Sequence, residues 1–298
     1  MSLMENSTKL DHGTIFYPEN APRNLVVVFF VTSSIGIALS ACAFILLVLT
    51  AVRFPEWRQS YKNQLLIQFM FARILYTFVR YVYDIRNFFE LCNRDCVIIL
   101  DKFLMTYTEV VLIAWMYMFT KHMHDSLVKV FNVEERTIWK LSLWTWFIPG
   151  LLSLILSLSY YFQKDKDIIF YLIYLLLVKW PFLSFIAVLL ISILRSVLNS
   201  NQSTENNLKI TIVMVVLVIV FSIHQFIIDI TKLIYIVLLN NYVHYIFGIG
   251  SIVLLYHCAF SIIFWVFGNA NTRKLWSNNK ERPLSQIILH RNSSLQSY

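Results

Sequence analysis

The chain has 298 residues, of which 58% are hydrophobic and only 14% charged. Soluble domains carry about 25% charged residues, so this composition excludes an ordinary water-soluble protein. The net charge of +8 is spread over predicted loops and tail rather than gathered in a stripe, which argues against a nucleic-acid partner. With six glycines and six prolines, long linkers and glycine-rich phosphate loops are not expected.

Residues 1–24 read as a short polar tail without the apolar core of a signal peptide, so the first apolar stretch is expected to serve as its own insertion signal. A helix that crosses a bilayer needs about 20 mainly apolar residues. Seven segments qualify: 25–51, 63–83, 98–121, 138–161, 168–194, 209–231 and 243–268. The expected fold is an all-α membrane protein, a seven-transmembrane helix bundle filling 25–268 as one domain, followed by a tail over 269–298. Lys and Arg are denser in the segments 52–62, 121–140, 195–209 and 273–291 than in the intervening ones, which predicts the N-terminus outside and the C-terminus cytoplasmic. Asn6 in the Asn6-Ser7-Thr8 sequon then faces the lumen and is open to glycosylation. Cys42 and Cys258 fall within spans and are expected as small apolar packing residues. Cys92 and Cys96, before the third span, either bridge locally, stay as thiols or pair with another chain.

The ionisable residues inside the spans carry the functional expectations, because exposing such a group to lipid costs about 2.5–3.5 kcal/mol. Arg73 and Arg80 are seven apart, close to two helical turns, and so share a helix face. Arg80 is four residues from Asp84, within reach across one turn, while Arg73 lies deeper and needs a partner from another helix. Glu109, midway along the third span, is the expected partner of Arg73. Lys179, His224, Gln225 and Asp229 complete a candidate ligand cavity open to the outer side. Two alternatives stand beside this reading. The Arg73–Glu109 pair holds the bundle together structurally, and Arg80 snorkels to the outer headgroups. His122 and His124 are expected at the inner interface. The sequence contains no zinc-type histidine pair, no serine–histidine pair with an oxyanion loop and no paired intramembrane aspartates, so neither an enzyme nor a metal or cofactor is expected. Beyond residue 269, NTRKLWSNNKER suggests a short interfacial helix, with Leu275 and Trp276 in the headgroups and Arg273, Lys274 and Lys280 toward anionic lipid.

Several motifs in fixed order resemble secretin-like (family 2) G-protein-coupled receptors, including the adhesion and Methuselah-like branches. Residues 33–71 look like that family's first span and first inner loop. Arg73 and Arg80 match an arginine and a lysine seven apart in its second span, and Trp115 resembles the tryptophan midway along its third. Trp144-Thr145-Trp146-Phe147-Ile148-Pro149 resembles Gly-Trp-Gly-x-Pro, with Trp146 and Pro149 kept. Lys179-Trp180-Pro181 resembles Lys-Gly-Pro, His224-Gln225 resembles His-Glu or His-Gln, and Trp265 to Asn269 resembles Tyr-Cys-Phe-x-Asn. The chain departs from the family where Ile219 and Ser222 replace a Pro-x-x-Gly hinge. Residues 160–178 also offer no cysteine to bridge Cys96, and the family's large outer domain is not expected in a tail as short as residues 1–24.

The resemblance implies a plasma-membrane receptor that passes the signal of an unidentified extracellular ligand to a heterotrimeric G protein, with membrane lipid as the other partner. Its ligand cavity would be lined by Arg73, Arg80, Glu109, Lys179, His224, Gln225 and Asp229. Its G-protein side would include Lys121, Arg195, Lys209 and Asn269. The missing hinge and bridge keep open a non-signalling, receptor-derived scaffold or decoy. A channel of opposite topology is a further alternative.

Overall fold

The computed structural model describes residues 23–88, 95–128, 138–162, 167–199, 218, 223, 225–231, 233–234, 242–268 and 270–278. Every described element is helical. In chain order these are α1 (Arg23–Arg53), α2 (Pro55–Gln59), α3 (Tyr61–Phe88), α4 (Asp95–Val128) and α5 (Ile138–Phe162). They are followed by α6 (Asp167–Tyr174), a π-turn (Leu175–Lys179), α7 (Trp180–Asn199), α8 (Tyr242–Gly268) and α9 (Ala270–Asn278). Residues 225–231, within the sixth predicted span, are helical as well.

Five stretches are long and apolar enough to cross a bilayer: Val27–Arg53, Tyr61–Tyr83, Ile99–Ser126, Ile138–Ser159 and Tyr171–Ser196. They coincide with the first five predicted spans, and α8 coincides with the seventh. The third differs in length. Helix α4 runs on to Val128, past the predicted end of the span at 121, so His122 and His124 sit on its last turns. Outward faces are apolar and bare, as on α5, where Trp139 is 83% exposed and Leu143, Phe147 and Ile155 are exposed too. Such a surface suits hydrocarbon, and the protein is an integral, multi-pass, all-α membrane protein.

Packing is organised around α4, which contacts α3, α5 and α7. Its inward residues Trp115, Met116 and Phe119 are fully buried. The other large contact closes the bundle between α1 and α8. There Gly36, Ser40, Ala43 and Leu47 fall at helical spacing and let the backbones approach. The Ser40 hydroxyl donates to the Leu255 carbonyl at 2.8 Å. A Cβ on Gly36 would lie 2.8 Å from Leu255 Cβ, so no larger residue fits without moving a helix. Cys258 is buried in this region, as expected, but Cys42 is exposed on the opposite face of α1 and is not a packing residue.

At the predicted inner end, Pro55 opens α2 at a first-turn position where its missing N–H costs nothing. The Trp57 indole donates to Thr272 Oγ1 at 3.1 Å, Phe54 meets Trp276 edge-on, and Arg53 lies 5.3 Å over the Trp276 ring. The predicted short helix after the last span is therefore present as α9, docked on α1 and α2 through these residues. Trp276 is half-buried, one side against Phe54 and Arg53. Arg273 and Lys274 are exposed.

Candidate functional site

Helix α3 presents Arg73, Tyr76 and Arg80 at spacings of three and four, on one face turned into the bundle. Opposite, α6 ends in the π-turn. The Trp180 amide donates to the Leu175 carbonyl five residues back, and Pro181 follows directly. A proline ring clashes with the carbonyl four residues before it in an α-helix, so a widened turn at this point relieves the conflict. The extra residue in the turn brings Lys179 inward, where it is 1% exposed.

Lys179 is the centre of a buried ionic cluster. Its ammonium donates to Glu109 Oε1 on α4 at 2.6 Å, to Asp229 Oδ1 at 2.6 Å and to Gln225 Oε1 at 3.4 Å. Three ammonium hydrogens thus meet three oxygens from two other elements. The second Glu109 oxygen accepts from the Tyr174 hydroxyl at 3.1 Å. Asp229 is fully buried, and the Gln225 Nε2 amide finds no acceptor among the described residues. Tyr76 lies within electrostatic reach of Arg80, Glu109 and Lys179, and Tyr171 within reach of Asp229, Lys179 and Glu109. Arg80 donates to the Tyr76 hydroxyl at 3.1 Å. Two cations and two carboxylates therefore balance inside one polar core.

Four of the expected cavity residues, Glu109, Lys179, Gln225 and Asp229, come together, with Arg80 next to them. Arg73 does not join them. Its guanidinium donates to Ser261 Oγ at 3.2 Å and to His257 Nδ1, both on α8. The expected Arg73–Glu109 pair is thus corrected. Lys179 takes Glu109, and Arg73, about 10 Å deeper than Arg80 along α3, turns to α8. For Arg80 it is the snorkelling alternative that fails. The residue is 7% exposed and directed into the bundle. The Asp84 side chain, His224, Lys209, Asn269, Asn6, Cys92 and the Cys96 side chain lie outside the described residues. On the predicted inner side, Lys121 is half-buried on α4 and Arg195 exposed on α7, with His124 Nε2 3.1 Å from Ser192 Oγ between those two helices. His122 meets Tyr61 edge-on.

Sequence reasoning missed Tyr76, Tyr171, Tyr174, His257 and Ser261. Tyr76 was signalled by its place between two arginines on one helix face, and His257 by its isolation in an apolar run. Tyr174 was hidden, because only the π-turn sets its position relative to Lys179. The family-like Trp146 donates to Gln68 Oε1 at 3.2 Å and packs against Trp115, Tyr107 and Phe71, joining α3, α4 and α5. Comparison with protein-family models and with curated proteins finds no match.

Proposed function

We propose that this chain is a seven-transmembrane receptor of the secretin-like, G-protein-coupled type, with its N-terminus outside and its C-terminus in the cytoplasm at the plasma membrane. The observation that carries the reading is the Lys179 cluster. One buried ammonium ties α4, the π-turn and the sixth predicted span together in the half of the bundle that the charge pattern turns outward. Buried ion pairs add little net stability, because desolvation offsets their attraction. They do hold a particular arrangement of helices, and a ligand that draws off one member releases that arrangement. Arg73, Arg80, Lys179 and Gln225 stand at the positions where the sequence resembles the family.

The released state would act on the inner ends of α4 and α7, where Lys121 and Arg195 lie, with Lys209 and Asn269 assigned to the same side by resemblance. The test is second-messenger output from cells expressing the full chain, with and without a ligand screen. Raised basal or ligand-dependent output is expected, and acidic substitution of Lys121, Arg195 and Lys209 together should lower G-protein recruitment at unchanged surface expression. A flat response from well-expressed protein would overturn coupling in favour of a non-signalling scaffold.

A further inference from the structure

Helices α1 and α3 form a shallow groove that no part of the ionic cluster uses. Its walls are Ile37, Ala41, Phe44 and Ile45 from α1 and Phe71, Ile74, Leu75 and Phe78 from α3, enclosing about 300 Å³. Not one of these side chains is polar. Ala41, Ile45, Phe71 and Phe78 are exposed along it. One turn beyond the lining residues on each helix stands a hydroxyl pair, Ser34 Oγ and Tyr81 Oη, 2.6 Å apart. Ser34 lies three residues before Ile37, and Tyr81 three after Phe78, so the pair continues the same stripes on both helices. Tyr81 is two residues inside the end of its span at Tyr83 and Ser34 seven residues inside the start of its span at Val27, so the pair lies in the predicted outer part of both spans.

The hydrogen bonds at that pair define what it accepts. The single Ser34 hydroxyl hydrogen is given to the Phe30 carbonyl at 2.8 Å. The bond between Ser34 and Tyr81 is therefore donated by the tyrosine, and the Tyr81 oxygen keeps lone pairs open to an incoming donor. From Ser34 to Phe44 the groove runs ten residues, about 15 Å along the helix axis, which is half the hydrocarbon thickness of a bilayer. We infer that this groove binds a sterol-class lipid: one neutral hydroxyl donating to Tyr81 and a rigid apolar body lying along Ile37, Ala41 and Phe44 against Phe71 and Phe78. A phospholipid matches it less well, because its charged headgroup would meet only two neutral hydroxyls already bonded to each other.

The test is photolabelling of the full chain in membranes with a diazirine-bearing sterol, mapped by peptide mass spectrometry. A diazirine fatty-acyl phospholipid runs in parallel. Sterol labelling is expected on the peptides carrying Phe44 and Phe71, with competition by excess unlabelled sterol. Tyr81→Phe, which keeps the ring and removes the hydroxyl, should lower sterol labelling roughly three- to tenfold, the worth of one hydrogen bond. Ala41→Trp should block the groove from its α1 wall and lose it, and neither change should alter phospholipid labelling. Sterol labels spread evenly over the apolar surface, or insensitive to both substitutions, would overturn the inference. Stronger competition by phospholipid than by sterol would overturn it as well, in favour of an acyl-chain site. Because the readout is chemical labelling, failure here leaves the receptor reading standing.

Discussion

Replacing Lys179 alone by methionine leaves a fully buried Asp229 and a part-buried Glu109 without the ammonium between them. Breaking a buried pair by removing one member costs about 3–5 kcal/mol. Lys179→Met should accordingly lose most surface expression, measured by biotinylation of intact cells. The triple change Lys179→Met, Glu109→Gln, Asp229→Asn removes all three charges and should recover much of that loss. Arg73 belongs to another set of contacts, with His257 and Ser261. The effects of Arg73→Met and Glu109→Gln on thermal stability in detergent should add within about 0.5 kcal/mol, whereas Arg73→Met and His257→Leu should couple. Strong coupling between Arg73 and Glu109 would contradict the geometry. At this scale the sequence located the charged residues, since an ionisable group in an apolar run stands out. It did not reveal their partners, because pairing depends on helix rotation and depth, which one chain's hydropathy does not encode. Two lysine–carboxylate bonds of 2.6 Å replaced the single arginine–carboxylate bond expected.

Among the elements, the π-turn and Gly36 matter most. Apolar content is the same whether a helix carries one extra residue or not, so the widened turn at Leu175–Lys179 left no trace in the hydropathy pattern. Pro181 was its only sign. Pro181→Ala removes the clash that favours the wide turn, and return to regular α geometry would swing Lys179 by about 100°, one residue's share of a turn. In that background the coupling energy between Lys179→Met and Asp229→Asn should fall clearly below its value in the parent chain. An unchanged double-mutant cycle would mean that Pro181 does not hold the register. For α1 and α8, Gly36→Val inserts atoms where even a Cβ lies 2.8 Å from Leu255 Cβ. It should lower the melting temperature in detergent, while the same change at exposed Ala41 should not.

For the whole molecule, membrane insertion and helical class were legible from composition and span length, because the physical demand of the bilayer is so uniform. The sidedness proposed above rests on loop charge alone. Epitope tags at both ends, probed before and after permeabilising cells, should find the N-terminal tag accessible on intact cells and the C-terminal tag only afterwards. Removal of a glycan should shift the migration of the parent chain but not of Asn6→Gln. A C-terminal tag visible on intact cells would reverse the topology and the receptor reading with it. The docking of α9 on α2 was half legible: the helix was expected, but its aromatic contacts 215 residues back along the chain were not.

The seam between α1 and α8 also imposes a schedule. The Ser40–Leu255 hydrogen bond spans 215 residues of sequence. At a synthesis rate of about 5–20 residues per second, α1 has left the ribosome some 10–40 s before its main partner exists. During that wait its small-residue face, shaped for close contact with another backbone, has only lipid, the insertion machinery or a chaperone to cover it. The newborn protein is therefore an open row of helices that becomes a closed ring only as its last long helix arrives, and a chain halted before Tyr242 should be cleared by membrane quality control however well its earlier helices have inserted.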